Sequence, residues 1–137
     1  MPSAIRRQCA RLSQPIPETP GQVARCVLDS LALRLGVAVR TVGELTGRVL
    51  TEIRLFGGGS RNALLCQITA DAIGLPVVAG PAEATALGNA LGQMLAHGHI
   101  ASLAEGRALV HRSLPPRTYE PRRRDGWAEA KASVWPR

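Results

Sequence analysis

Residues 52–79 read Glu-Ile-Arg-Leu-Phe-Gly-Gly-Gly-Ser-Arg-Asn-Ala-Leu-Leu-Cys-Gln-Ile-Thr-Ala-Asp-Ala-Ile-Gly-Leu-Pro-Val-Val-Ala, and this stretch decides the fold class. Glu52 to Phe56 is a short strand pattern with Ile53 and Leu55 on one face, ended by Gly57-Gly58-Gly59. Ser60 then sits where a helix N-cap belongs. From Asn62 to Ile73, Leu64, Leu65, Ile68, Ala72 and Ile73 form a helical stripe. Gly74 suits the left-handed position after a helix, Leu75 can pack back, and Pro76 blocks continuation. Val77 to Ala79 is a second short apolar strand. Strand, helix and strand in this compass predict an α/β fold with a βαβ core, parallel strands and a right-handed crossover.

Toward the N-terminus, the first 19 residues read as loop, punctuated by Pro2, Pro15 and Pro17. Thr19-Pro20 resembles an N-cap followed by Pro at the first helical position. Val23, Val27, Leu28, Leu31 and Leu35 then predict an amphipathic helix over 22–35. A second helix is expected from Val37 to Leu45, stopping near Gly47. Toward the C-terminus, Gly80-Pro81 turns the chain and Glu83 to Ala96 reads as a helix. Ala84, Gly88 and Gly92 make a small-residue stripe on it. A helical Gly costs about 1 kcal/mol relative to Ala, so the stripe implies a packing or ligand reason. A short helix is expected near Ser102, an extended segment around Pro115-Pro116 and Pro121, and a terminal helix over 126–134. The expected division is an irregular segment 1–20, a folded subdomain 21–114 and a basic tail 115–137.

The 137 residues are 45% hydrophobic, which excludes a disordered tail, and carry a net charge of +7. That charge is peripheral. Arg6, Arg7 and Arg11 are unopposed in residues 1–17, Arg122-Arg123-Arg124 lie in the tail, and the body between is close to neutral. The Arg runs could meet phosphates. Yet Phe56, Tyr119, Trp127 and Trp135 are the whole aromatic complement, which leaves no stacking platform for single strands and argues against nucleic acid. No uninterrupted apolar stretch is long enough to span a membrane, and no secretory signal pattern opens the chain. Cys9, Cys26 and Cys66 are odd in number and widely spaced, as in reduced thiols of a cytoplasmic protein. His97, His99 and His111 lack metal-ligand spacing. For all six, packing or surface placement is the plainer reading.

The sharpest local feature is the glycine run. Lacking Cβ atoms, it lets a flat or charged ligand lie on the backbone. The N–H groups of a helix start favour phosphate, and Ser60 and Asn62 add polar atoms at the mouth. The run matches neither a Walker loop nor GxGxxG, so nucleotide contact and a plain tight turn both remain open from the motif alone.

From Leu55 onward, LFGGGSRNALLCQITADAIGLPVVAGPAEATALGNA resembles the C-terminal part of the FGGY carbohydrate kinases. The GGGS-x-N loop, the Ala-Asp-x-x-Gly-x-Pro-Val helix exit and the Glu-Ala-x-Ala-Leu-Gly helix are specific as a set. Upstream, IPETPGQVARCVLDSLALRL is more similar to the rhamnulokinase members than to xylulokinases or glycerol kinases. The resemblance weakens after about Pro116. It implies part of an actin/Hsp70-like (ribonuclease H-like) ATPase domain without its opening β-meander. It also implies ATP as the ligand, with Gly58, Gly59 and Ser60 near adenosine and the α-phosphate and Asn62 toward adenine. For Asn62 a helix-start hydrogen bond is the alternative.

The family's sugar-binding domain, catalytic carboxylate and Asp-x-Gly-Thr hairpins have no counterpart here, so no catalytic residue is expected and Mg²⁺ ligands are expected outside this chain. The expected function is the ATP-binding portion of a kinase that phosphorylates L-rhamnulose at O1, inactive alone. A kinase of another sugar, or a non-catalytic nucleotide-binding module derived from one, are the alternatives. Sheet strands beyond the two legible ones would be missing, so self-association through an exposed edge is also expected.

Overall fold

The computed structural model describes residues 1–122 and 126–134. In chain order the elements are α1 (Pro2–Arg11), α2 (Pro20–Thr46), β1 (Ile53–Leu55), a 3₁₀ turn (Gly58–Arg61), α3 (Ala63–Ile73), β2 (Val77–Ala79), α4 (Ala84–Ala96), α5 (Leu103–Ser113), β3 (Arg117–Tyr119) and α6 (Trp127–Val134). The expected βαβ unit is present. β1 and β2 run parallel, pairing Ile53 with Val77 and Leu55 with Ala79. α3 between them ends at Gly74 in the left-handed conformation, φ 79°, which a residue with a Cβ adopts at a cost.

Three expectations are corrected. The irregular N-terminal segment contains a helix, α1. Pro2 lies in its first turn, where the missing N–H is no loss, and Pro15 and Pro17 fall beyond its end. Secondly, the two helices expected over 22–45 are one, α2. Its start is a reciprocal capping box. Thr19 Oγ1 accepts from Gln22 N at 3.2 Å while Gln22 Oε1 accepts from Thr19 N at 3.0 Å. Gly36, where a break was expected, is buried within it, and the helix stops at Gly47, φ 62°. Thirdly, the sheet has three strands in the order β1-β2-β3. After Pro115-Pro116, Arg117–Tyr119 pairs antiparallel with β2, placing Tyr119 opposite Val77.

The core has two layers that meet at α3. On one side Cys66 and Ala70, one turn apart, pack with Val77, Ala79 and Tyr119 of the sheet. On the other, Ile68 and Ala72 pack with Ala32 of α2, with Leu28 and Trp127 alongside. Val77 and Cys66 are fully buried; removing a Val-sized side chain from water is worth roughly 1.5–3 kcal/mol. Asp71, on the partly exposed side of α3, accepts from Arg122 N at 2.8 Å and from Gln67 Nε2 at 2.9 Å. This carboxylate ties the chain after β3 to α3. Among the described residues no helix is long and apolar enough to cross a membrane. Arg123, Arg124 and Trp135, weighed above for nucleic-acid contact, lie outside the described residues.

Candidate functional site

The loop after β1 is built by its first glycine. Gly57 has φ 79° and ψ −165°, a backbone region that is in practice open to glycine alone. Its N–H donates to Pro81 O at 3.2 Å. That bond joins the loop to the turn after β2. Ser60 N and Ser60 Oγ both donate to Gly57 O, at 3.0 and 2.8 Å, closing the 3₁₀ turn. Asn62 N donates to Gly59 O at 3.1 Å. Gly57 and Gly80 stood outside the expected set of site residues. The signal for Gly57 was its place directly after a strand; the need for Gly80 comes only from tertiary packing against Phe56.

Gly58 and Gly59 differ from Gly57. Neither has a positive φ. A Cβ at Gly58 would meet nothing within 4 Å, and one at Gly59 would touch only Leu65 Cδ2 at 3.9 Å. Neither chain conformation nor packing in this structure requires glycine there. Both are exposed and occupy the first positions of the turn, where N–H groups lack intrahelical acceptors. The pair is an open backbone surface of the kind a planar or anionic ligand can approach.

The remaining expected residues are occupied in local structure. Ser60 is buried, with its hydroxyl committed to Gly57. Asn62 is exposed and caps α3, its Oδ1 accepting from Leu65 N at 3.0 Å. That is the helix-start hydrogen bond considered as its alternative role, and it engages the amide oxygen rather than the amide nitrogen. Cys66 lies beneath the turn, its Sγ 3.7 Å from Ser60 O. Burial pushes the Cys66 thiol up, against smaller opposing effects of its backbone hydrogen bonding and Arg117.

Two elements converge on the glycine turn. Arg61 Nη2 donates to Glu83 Oε1 at 3.3 Å, with both side chains well exposed; such a pair is worth about 0–1 kcal/mol. Glu83 is the residue before α4, so the pair links the turn to the start of that helix. Beside it lies a cavity of about 410 Å³ lined by Arg61, Gly80, Pro81, Glu83, Leu87 and Leu114. A second cavity of about 800 Å³ lies elsewhere, between the Pro15–Pro17 loop, α2 and α6, and takes in none of Gly58, Gly59, Ser60 or Asn62. On α4, a Cβ at Gly88 or Gly92 would meet nothing within 4 Å. Gly88 and Gly92 therefore have no neighbour close enough to require glycine among the described residues. Those residues also hold no grouping of three or more His, Cys, Asp or Glu side chains fit to hold a metal ion.

The FGGY family of carbohydrate kinases, through its C-terminal domain, matches residues 2–97. A rhamnulokinase of Bacteroides thetaiotaomicron is 45% identical over 130 residues, covering 95% of this chain and 27% of the relative. One of Enterococcus faecalis is 41% identical over 122 residues, covering 88% and 25%. A third, of Bacillus subtilis, is 37% identical over 118 residues, covering 86% and 24%. The chain spans about a quarter of the length of these curated relatives.

Proposed function

The chain belongs to the FGGY family of carbohydrate kinases, and from that premise we propose that it forms one wall of the ATP site of a rhamnulokinase-type enzyme. The mixed three-stranded α/β unit would be part of an actin/Hsp70-like ATPase domain. The intact enzyme, in the cytoplasm, would transfer the γ-phosphoryl group of ATP to rhamnulose. The relatives' names support the sugar.

One observation carries the nucleotide reading. Gly58 and Gly59 keep their Cβ positions clear although neither backbone nor packing asks for it. A ligand seated on that surface is a physical reason for glycine at both. ATP fits it: a planar base and ribose can lie on bare backbone, and N–H groups at a turn start favour the α-phosphate. When bound, ATP supplies the transferable phosphoryl group. Gly58 and Gly59 would bound the adenosine, Asn62 would offer its amide to adenine while still capping α3, and Ser60 would hold the turn's shape. Mg²⁺ ligation and the catalytic base would come from parts of the intact enzyme other than this chain, as the family resemblance implies. By the same reasoning, the outer edges of β1 and β3 would meet those parts, and self-associate where they are absent.

A graft tests this function. Residues 1–137 would replace the matching segment of the Bacteroides thetaiotaomicron rhamnulokinase. The chimera should release ADP from ATP in a rhamnulose-dependent way, and the 137 residues alone should not. A folded chimera without that turnover, or turnover by the isolated chain, would overturn the proposal.

A further inference from the structure

We propose that the cavity enclosed by the sheet, α4 and α5 binds a small amphipathic carboxylate, in chemical class a medium-chain fatty acid. The cavity holds about 380 Å³ and takes in none of Gly58, Gly59, Ser60 or Asn62. Its floor is the sheet face turned away from α3. Ile53 and Leu55 pack into the core with Cys66 and Ala70 of α3. The alternating Arg54 and its register partner Val78 therefore fall on the opposite face, and both line the cavity. Its walls are two helical faces. Ala84, Leu87, Gly88 and Leu91 of α4 recur at the i, i+3, i+4 and i+7 spacing, and so do Arg107, Val110, His111 and Leu114 on α5 and its C-cap. Gly106 lets the two walls close on each other. It is buried, and a Cβ there would lie 2.9 Å from Leu91 Cδ2 and 3.0 Å from Ile100 Cδ1.

Charge and polarity select the ligand. The lining holds Arg54, Arg107 and His111 and no carboxylate. Arg54 is already paired, its Nε donating to Glu52 Oε1 at 2.7 Å. Arg107 has no ion pair or hydrogen bond among the described residues. Its exposed guanidinium can donate two parallel N–H bonds to one carboxylate, and His111, one turn on, offers a ring N–H. The rest of the lining is Phe56, aliphatic side chains and two glycines. A sugar or a base buried against it would leave polar atoms without partners, whereas an alkyl chain has none to satisfy. The volume falls at the lower end of small-ligand sites, roughly 300–1,000 Å³, which suits one short chain. The site also gives Gly88 a reason. A helical glycine is less favourable than alanine, yet a Cβ at Gly88 would meet nothing within 4 Å. Gly88 lines the cavity, so a side chain there would take the space of the alkyl chain.

Titration calorimetry with octanoate tests this site, on the full chain and on the rhamnulokinase chimera. Octanoate should bind both saturably, and in the isotopically labelled chain the amide signals of Gly80, Gly88 and Arg107 should shift with it. Octanol, which keeps the tail, and acetate, which keeps the carboxylate, should each bind at least about tenfold more weakly. Gly88→Leu should weaken octanoate binding at least about tenfold by filling the cavity. Gly92→Leu, on the same helix but outside the lining, should leave it within about twofold. Arg107→Gln should abolish the preference for octanoate over octanol, and saturating ATP should not displace octanoate. No binding of octanoate by the full chain, equal binding of octanol, indifference to Gly88→Leu or to Arg107→Gln, or displacement by ATP would each overturn the proposal. So would binding by the chain but not by the chimera, which would assign the groove to a segment of the longer enzyme. Amide shifts that follow chain concentration instead of octanoate would assign it to a second copy and overturn the proposal equally.

Discussion

The ring of Phe56 fills the space that a side chain at Gly80 would need. A Cβ at position 80 would collide with Phe56 Cε1 and lie 2.6 Å from Cδ1. Gly80 N donates to Leu55 O at 2.8 Å, so the backbone at position 80 is held and the ring must yield. Gly80→Ala should cost about 1–3 kcal/mol by overpacking. In a Phe56→Ala background the same change should be nearly neutral. A double-mutant cycle in urea unfolding measures this coupling; simple additivity would show that the two residues do not constrain each other.

The three glycines of the turn should behave differently. Gly57→Ala forces a Cβ into a region only glycine occupies readily and should cost about 1–3 kcal/mol. Gly58→Ala and Gly59→Ala should leave stability within about 0.5 kcal/mol, the range of substitutions away from packed or strained features. In the rhamnulokinase chimera those two variants should nonetheless raise the KM for ATP at least about tenfold, a loss of about 1.4 kcal/mol. Thermal melts and ATP-dependent kinetics together separate the two classes.

Asn62 permits a similar separation. Asn62→Ala removes the cap on Leu65 N and should cost about 1 kcal/mol. Asn62→Asp keeps an acceptor and a favourable charge at the helix start, so stability should hold. ATP affinity should fall in both variants if the amide serves adenine, because aspartate has no N–H to donate.

Thr69 on α3 is fully buried, and its hydroxyl has no hydrogen-bond partner among the described residues. Thr69→Val keeps the shape and removes the uncompensated polar atom. Stability should be unchanged or rise by about 1 kcal/mol. A loss above that in chemical denaturation would mean that the hydroxyl has a partner in solution.

The elevated Cys66 thiol has a pH consequence. Its folded state holds the proton more tightly than the unfolded chain, whose thiol ionises near the ordinary 9.0. The associated stability is complete below that pH and declines as pH rises through and beyond it. Melting midpoints between pH 7 and 10 should show this decline, and Cys66→Ala, though destabilised by its cavity, should lack the Cys66 component.

The local signals that could be read from sequence were those whose causes are close in the chain. Gly74 after an apolar stripe and Pro76 beyond it mark the end of α3, and Thr19-Pro20 marks the start of α2. What escaped depends on distant partners. β3 exists because Tyr119 pairs with Val77 on the neighbouring strand and joins the same buried cluster. α1 was obscured because Pro2 looks like loop punctuation until its place in a first turn is known. α2 runs through Gly36 because tertiary burial overrides a weak local propensity. At the site, the glycine run was visible as a run. Its division into one glycine required by conformation and two left open required the backbone angles and neighbours.

The most direct test of the nucleotide site is an ATP titration of the isotopically labelled chain followed through the amide signals of Gly58 and Gly59. Both should shift progressively and saturate, with Asn62 following and α1 remaining still. Unmoved Gly58 and Gly59 signals at millimolar ATP, in a chain that melts cooperatively, would contradict the nucleotide-binding role assigned to that turn.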